Sequence, residues 1–333
     1  MRIATYNVAW FEHLFTRHGD LVPDGASAWH GGVTRAEQID ALITVFRAID
    51  ADAILIIEAP DEGRRAGTVR KLKAFAEAAG IRARQPFTGF TNGTQQEIAF
   101  LFDPDVMEVM HDPGESLDAP RFDGTFRIDL DIDATEDEVD FSKPPLELEI
   151  IPKDGRAGFH LIGAHLKSKA PHGAKGKHEI LRRAIANRRK QLAQAIWLRR
   201  RIATHLAEGR RLVVAGDLND GPGLDEYEKL FGRSSAEIVM GSGDEALFDP
   251  HADEALSQRV GAQPSTARFY IAPRRRFLQA LLDYIMVSPV LRPHAHDWRI
   301  WHPFDDPDCW RHPLGEALLA ASDHYPVSVE LDL

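Results

Sequence analysis

Asp217 and Asn219 stand two residues apart in GDLND (216–220), at the end of the apolar run LVVA. Residues two apart on an extended chain point the same way, so a strand entering this turn would deliver a carboxylate and an amide to one spot. Such a pair can orient a water molecule and bind a developing oxyanion. The pattern recurs in Asn7 of ATYNVAW, Glu58 of LIIEAPDE, His165 of GAHLKSK, Asp283 of LLDYIMV and Asp323-His324 of ASDHYPV. Burying one polar group without a partner costs about 1–3 kcal/mol, and more for a charge. A single case reads as a turn or a satisfied core residue. Repetition in step with the strands reads as groups converging at one end of a sheet core. Carboxylates and an amide oxygen, with no cysteine cluster, suit a hard divalent cation such as Mg²⁺ or Mn²⁺. A histidine beside a carboxylate suits proton transfer.

The elements that carry these groups are legible as apolar runs at the N-terminus (RIATYNVAWF) and at 53–58, 98–102, 146–151, 159–166, 212–216, 281–287 and 325–331. Helices lie between several of them. Thr34 with Glu37 forms a capping box ahead of AEQIDALITVFRAI; residues 68–79 form a second helix stopped by Gly80. A third, about 178–207, carries Leu181, Ile185, Leu192, Ile196 and Ala203 as its apolar stripe and ends at Gly209. Strong alternation in 126–151 (FRIDLDID, then LELEII) predicts antiparallel strands with one wet face. The mixed order suits α/β sheets covered by helices on their outer faces. With no repeat, linker or clean boundary, residues 1–333 read as a single domain.

The chain carries 51 acidic against 40 basic residues, which argues against a protein that coats nucleic acid. The charge is uneven, however: residues 165–201 hold twelve Lys and Arg against the single acid Glu179. A positive surface on an acidic body would draw in a phosphate-bearing substrate. The lone cysteine, Cys309, allows no internal disulfide. No signal peptide and no membrane-length apolar run is evident, so a cytoplasmic protein without a membrane span is expected. HPFDDPDCWRHP (302–313) lacks the ligand spacing of a zinc site and reads as a surface loop. There is no GxxxxGK[ST] and no convincing GxGxxG.

Taken together, GDLND, LDYIMVS and SDHYPV resemble the motifs of the endonuclease/exonuclease/phosphatase superfamily, in that family's order and from Asn7 to His324. The resemblance implies a four-layer α/β sandwich of two packed mixed β-sheets flanked by helices. It makes Glu58 the principal metal ligand, with Asn7 beside it on metal or phosphate and Asp323 supporting the metal site. Asp217 would activate or orient the attacking water, and Asn219 would hold a phosphate oxygen. Asp283 would pair with His324, which would bind the scissile phosphate or move a proton. The chain departs from the family in having Ile57, where Gln is frequent, before Glu58, and Ala59-Pro60 after it. A histidine at position 165 is similar to the deoxyribonuclease and sphingomyelinase branches. Glu97 stands where the deoxyribonuclease branch places that histidine's carboxylate partner, so the resemblance implies a second acid–histidine pair, Glu97–His165.

Lys167 and Lys169 alternate in phase with His165 and are expected to face phosphate, with Lys175 and Lys177 on a following loop. Arg182, Arg183, Arg189, Arg199 and Arg200 read as a solvated helix face, and Arg274–Arg276 as the better polyanion contact. The expected activity is Mg²⁺- or Mn²⁺-dependent hydrolysis of a phosphodiester in nucleic acid. A small phosphate ester or lipid headgroup is the alternative substrate, and no feature calls for an obligate protein partner.

Overall fold

A computed structural model describes the chain outside residues 29–31, 63–66, 91–96, 131–135, 172, 222–231, 258–262, 272–274 and 312. Arg274, read from the sequence as part of a polyanion contact, lies outside the described residues.

One sheet has six strands: β1 (Arg2–Asn7), β2 (Ala53–Ala59), β3 (Gln85–Thr88), β4 (Glu97–Phe102), β14 (Ala295–Ile300) and β15 (Val327–Leu331). Their order is β14-β15-β1-β2-β4-β3, with β1 and β2 parallel and the other pairs antiparallel. The second sheet has the order β13-β10-β9-β8-β5. Its strands are β5 (Met107–His111), β8 (Leu146–Pro152), β9 (Phe159–His165), β10 (Leu212–Asp217) and β13 (Asp283–Val287), with only β9 and β10 parallel. Two hairpins stand apart, β6 (Phe126–Ile128) with β7 (Asp137–Val139) and β11 (Ala267–Ile271) with β12 (Arg276–Ala280).

Side chains on a strand alternate between faces, and the buried clusters follow that period of two. On β2, Ala53, Leu55 and Ile57 join a core with Leu161, Val213 and Ile285 of the other sheet, while Ile54 and Ile56 pack on helices. On β10, Val213 and Ala215 face the same inter-sheet core, while Leu212 and Val214 face outward. The outer layer over the first sheet contains α1 (Arg35–Ile49), α2 (Thr68–Ala79) and α6 (Leu314–Ala321). That over the second contains α3 (Lys177–Ala207), α4 (Ser235–Met240) and part of α5 (Pro250–Ser257). Three cores separate four layers, the sandwich expected from the sequence. The predicted Thr34–Glu37 capping box opens α1, and Gly80 (φ 62°) closes α2. None of the described helices is long and apolar enough to cross a membrane.

Two sequence expectations hold only in part, for reasons of packing, although the strands within 126–151 do pair antiparallel as expected. Strand β8 has no regular wet face, because α3 lies over it: Glu147 is buried, its Oε1 lying 3.1 Å from the equally buried Arg201 Nε. The apolar stripe of α3 is not continuous, since Leu181 and Ile185 are 47% and 43% exposed. Only from Gln191 onward does α3 bury residues against the sheet. Of the arginines read as a solvated face, Arg182 and Arg183 are exposed. Arg189 instead pairs with Asp137, and Arg199 reaches the Met240 carbonyl.

Candidate active site

The register of the second sheet lines up three chemical groups. Asp217 is paired with His165 across β9–β10 and with Asp283 across β10–β13. All three share strand parity with the inter-sheet core residues Leu161, Ala215 and Ile285, so they lie at the mouth between the sheets. Asn7 arrives from the other sheet, in phase with Ile3 on β1. His324 precedes β15 and is held by a bridge to Ala267. Gly216 (φ 124°) permits this construction, because a Cβ there would meet the Ala164 carbonyl oxygen at 2.1 Å.

Glu58 needs a different device. Plain alternation would turn it to the helix side with Ile54 and Ile56. The β2–β4 register instead slips between Ile57 and Ala59, and Glu58 adopts φ 61°. A bulge of this kind re-aims a side chain, and a non-glycine residue in the left-handed region costs about 1–3 kcal/mol. Glu58 accepts the Trp10 N–H at 3.4 Å, and burial raises its pKa against the pull of Lys143 and His324.

Asp217 is the hub. Its Oδ2 accepts the Asn7 amide at 3.0 Å and the Asn219 amide at 3.1 Å, and its Oδ1 accepts the Asn219 backbone N–H at 2.7 Å. Asn219 takes φ 50° to close this turn. Burial, then the nearby Asp283 charge, push the Asp217 carboxyl up to about 7, with His324 opposing. Asp283 Oδ2 accepts from His324 Nδ1 at 2.8 Å and from the Thr266 hydroxyl at 2.8 Å. Burial alone would lower the His324 pKa, but Asp283, Asp217 and Asp323 outweigh it and hold the imidazolium up to about 10. Asp323 is half-buried, and its carbonyl accepts the Arg268 N–H.

The residues present fit a divalent cation. Asn7 Oδ1 and Asp283 Oδ1 are buried without a hydrogen-bond partner, and such atoms in a native site call for an ion or water. Among the described residues, ligand atoms of Asp217, Asp283 and His324 come within 4.8 Å of one another. Of the ligands expected from sequence, Asn7 touches that close group through Asp217, while Glu58 and Asp323 lie outside it and border it electrostatically.

Some expected contacts take another form. Lys169 forms an ion pair with buried Asp220, so its ammonium is engaged within the fold. Lys167 is half-buried, and its backbone N–H is fixed by Gln194 at 2.8 Å. Glu97 is buried at the start of β4, opposite Ala59. The His165 nitrogens have other neighbours, with Nδ1 3.2 Å from Lys143 Nζ and Nε2 3.7 Å from Asp217 Oδ2. Sequence reading missed Lys143, whose one signal is its place before Pro144-Pro145 at a strand entrance. It also missed Thr266 and Ser322, whose hydroxyls fix Asp283 and the Asn7 carbonyl. A lone hydroxyl in a loop leaves no pattern to find.

Two packed mixed sheets with carboxylates, amides and histidines gathered at one inter-sheet mouth define an α/β sandwich with a polar site at its rim. Residues 4–324 match the model of the Endonuclease/Exonuclease/phosphatase family, and the chain belongs to that family. Membership makes phosphoester hydrolysis its chemistry. No curated protein sequence matches the chain. Solved structures similar in fold include truncated Caenorhabditis elegans TDP2, at 14% identity and TM-score 0.50, covering 99% of this chain and 96% of that one. A humanized D. rerio TDP2 is 12% identical with TM-score 0.52, covering 100% and 99%. Bacteroides thetaiotaomicron mannosyl-6-phosphatase Bt3783 is 16% identical with TM-score 0.50, covering 100% of each chain.

Proposed function

We propose that this protein is a divalent-metal-dependent phosphodiesterase acting on nucleic acid. The observation that carries the hydrolytic reading is the meeting of two hydrogen-bonded groups, Asn7–Asp217–Asn219 and Asp283–His324, whose Asp217, Asp283 and His324 ligand atoms come within 4.8 Å of one another, bordered by Glu58 and His165. Glu58 and Asn7, supported by Asp323, would hold Mg²⁺ or Mn²⁺, which supplies charge to polarise the phosphate. Asp217, held near neutral pKa and anchored by two amides, is suited to orient a water and accept its proton. His324 is kept charged by Asp283 and so serves as a phosphate ligand or proton donor rather than a base. His165 adds a donor near the phosphate, whereas the Asn219 amide, expected from sequence to hold a phosphate oxygen, donates to Asp217 and to the Leu166 carbonyl and acts by fixing Asp217.

The nucleic-acid part of the proposal draws on the surroundings. The β11–β12 hairpin is joined to the site by the Ala267–His324 bridge, and the Phe269 ring packs edge-on against His324 at 5.4 Å. Tyr270, Phe277 and Leu278 on this hairpin are exposed, beside Arg276. Exposed rings with neighbouring cations suit stacking on unpaired bases. The small-ester reading draws on the acidic remainder of the chain and on the fold shared with a mannosyl-6-phosphatase.

The test is turnover with Mg²⁺ or Mn²⁺, and with chelator, on single-stranded DNA, duplex DNA, RNA, bis-p-nitrophenyl phosphate and a sugar phosphate. Cleavage of nucleic acid whose affinity falls steeply with salt is the expected result. Preference for the sugar phosphate without salt dependence would replace it with the small-ester reading.

A further inference from the structure

We propose that Lys143 is a positioning residue of this site: by donating to Nδ1 of His165 it holds that ring as the Nε2–H tautomer, making His165 a donor to a substrate phosphoryl oxygen and not a base. The role toward substrate rests on the hydrolase reading above, whereas the tautomer rests on the Lys143–His165 contact and on the charge of the ammonium.

Lys143 Nζ lies 3.2 Å from His165 Nδ1. An ammonium has three donors and no acceptor, so Nδ1 must accept. A neutral imidazole then carries its one N–H on Nε2. That nitrogen is 3.7 Å from Asp217 Oδ2, beyond hydrogen-bond range, so the carboxylate does not consume it. A carboxylate partner such as Glu97 would impose the reverse, because it can only accept: Nδ1 would hold the proton and Nε2 would be free to take one. The two arrangements therefore assign His165 opposite roles.

The lysine is held for this purpose by both flanks. Phe141 is buried, its ring 5.1 Å from Trp197, and the Asp140 carbonyl accepts from Gln194 at 3.1 Å. Pro144 and Pro145 follow, and a residue before proline is kept extended. Burial draws the Lys143 pKa down, while Glu58, Asp217 and Glu97 act to keep it charged. Glu97 thus bears on the site through Lys143.

The experiment is ¹⁵N NMR of the His165 ring in the full-length protein, metal-free and with Mg²⁺, the resonance being assigned by its loss in H165Q. An Nε2–H signature in wild type that is lost in K143M is the expected result. In parallel, kcat on bis-p-nitrophenyl phosphate should fall roughly 10–100-fold in K143M with KM little changed, and K143R should restore most of it. An Nδ1–H signature in wild type, or a tautomer unchanged in K143M, overturns the proposal. If K143M does not fold, the wild-type tautomer alone decides. Absence of metal-dependent turnover in wild type overturns the hydrolase reading and leaves the tautomer to decide the inference separately.

Discussion

In the proposed mechanism Asp217 and His324 divide the work of the site by carrying oppositely matched protonation states. Asp217 binds three N–H groups yet is held near 7 by burial and by Asp283, whereas His324 is held charged by the same Asp283. Replacing Asp217 with Ala should lower kcat by about 10²–10⁴-fold. The fold should survive, because the lost carboxylate was itself costly to bury. Far-UV circular dichroism and steady-state rates on one preparation check this, and a folded variant with full activity would count against the assignment. The two shifts also set a pH dependence. The His324 folded value of about 10 stands above its ordinary 6.5, so its stabilisation is complete below 6.5 and lost as pH rises through 10. Asp217, held at about 7 against 3.8, keeps a proton that the unfolded chain releases, so its contribution also falls as pH rises from 3.8 through 7. Urea midpoints of the metal-free protein should therefore decline from mildly acid to alkaline pH, and His324→Gln should flatten the upper part of that decline. A flat wild-type profile would contradict both shifts.

At the scale of elements, the site depends on three local departures from regular strand geometry. The Glu58 bulge turns a side chain from the helix face toward the mouth, Gly216 lets β10 press against β9, and Asn219 closes the turn after it. Gly216→Ala would place a Cβ against backbone that cannot yield cheaply. We expect about 1–3 kcal/mol of destabilisation from the backbone conformation alone, measured by denaturant unfolding. Activity per folded molecule should also drop, since Asp217 is the next residue. An alanine variant as stable as wild type would show that β9 gives way there. Helix α3 teaches a related lesson: its periodicity predicts a continuous stripe, but Leu181 and Ile185 lie on turns that have no sheet beneath them.

On the scale of the whole molecule, the two sheets form one inter-sheet core that ends at a cluster of acids. Asp283 and Glu58 raise the cost of ionising Asp217, and Asp323 that of ionising Glu58, an arrangement that a bound cation relieves. A cation at about 100 times its dissociation constant would add about 2.7 kcal/mol of stability. Mg²⁺ or Mn²⁺ should therefore raise Tm, chelator should reverse the rise, and Glu58→Gln should diminish it. A Tm indifferent to either metal would remove the divalent-cation part of the proposal.

The sequence by itself determined which strands end in carboxylates, amides and histidines, because alternation and turn residues are local and strand ends are marked by Asp, Asn and Gly. Helix starts such as Thr34–Glu37 were legible for the same reason. Tertiary structure alone decided who meets whom. The pairing of His165 with Lys143, the capture of Lys169 by Asp220 and the burial of Glu147 beneath Arg201 join residues 22 to 54 positions apart. Such contacts follow from sheet order and from which helix covers which face, and neither leaves a periodic trace in the chain.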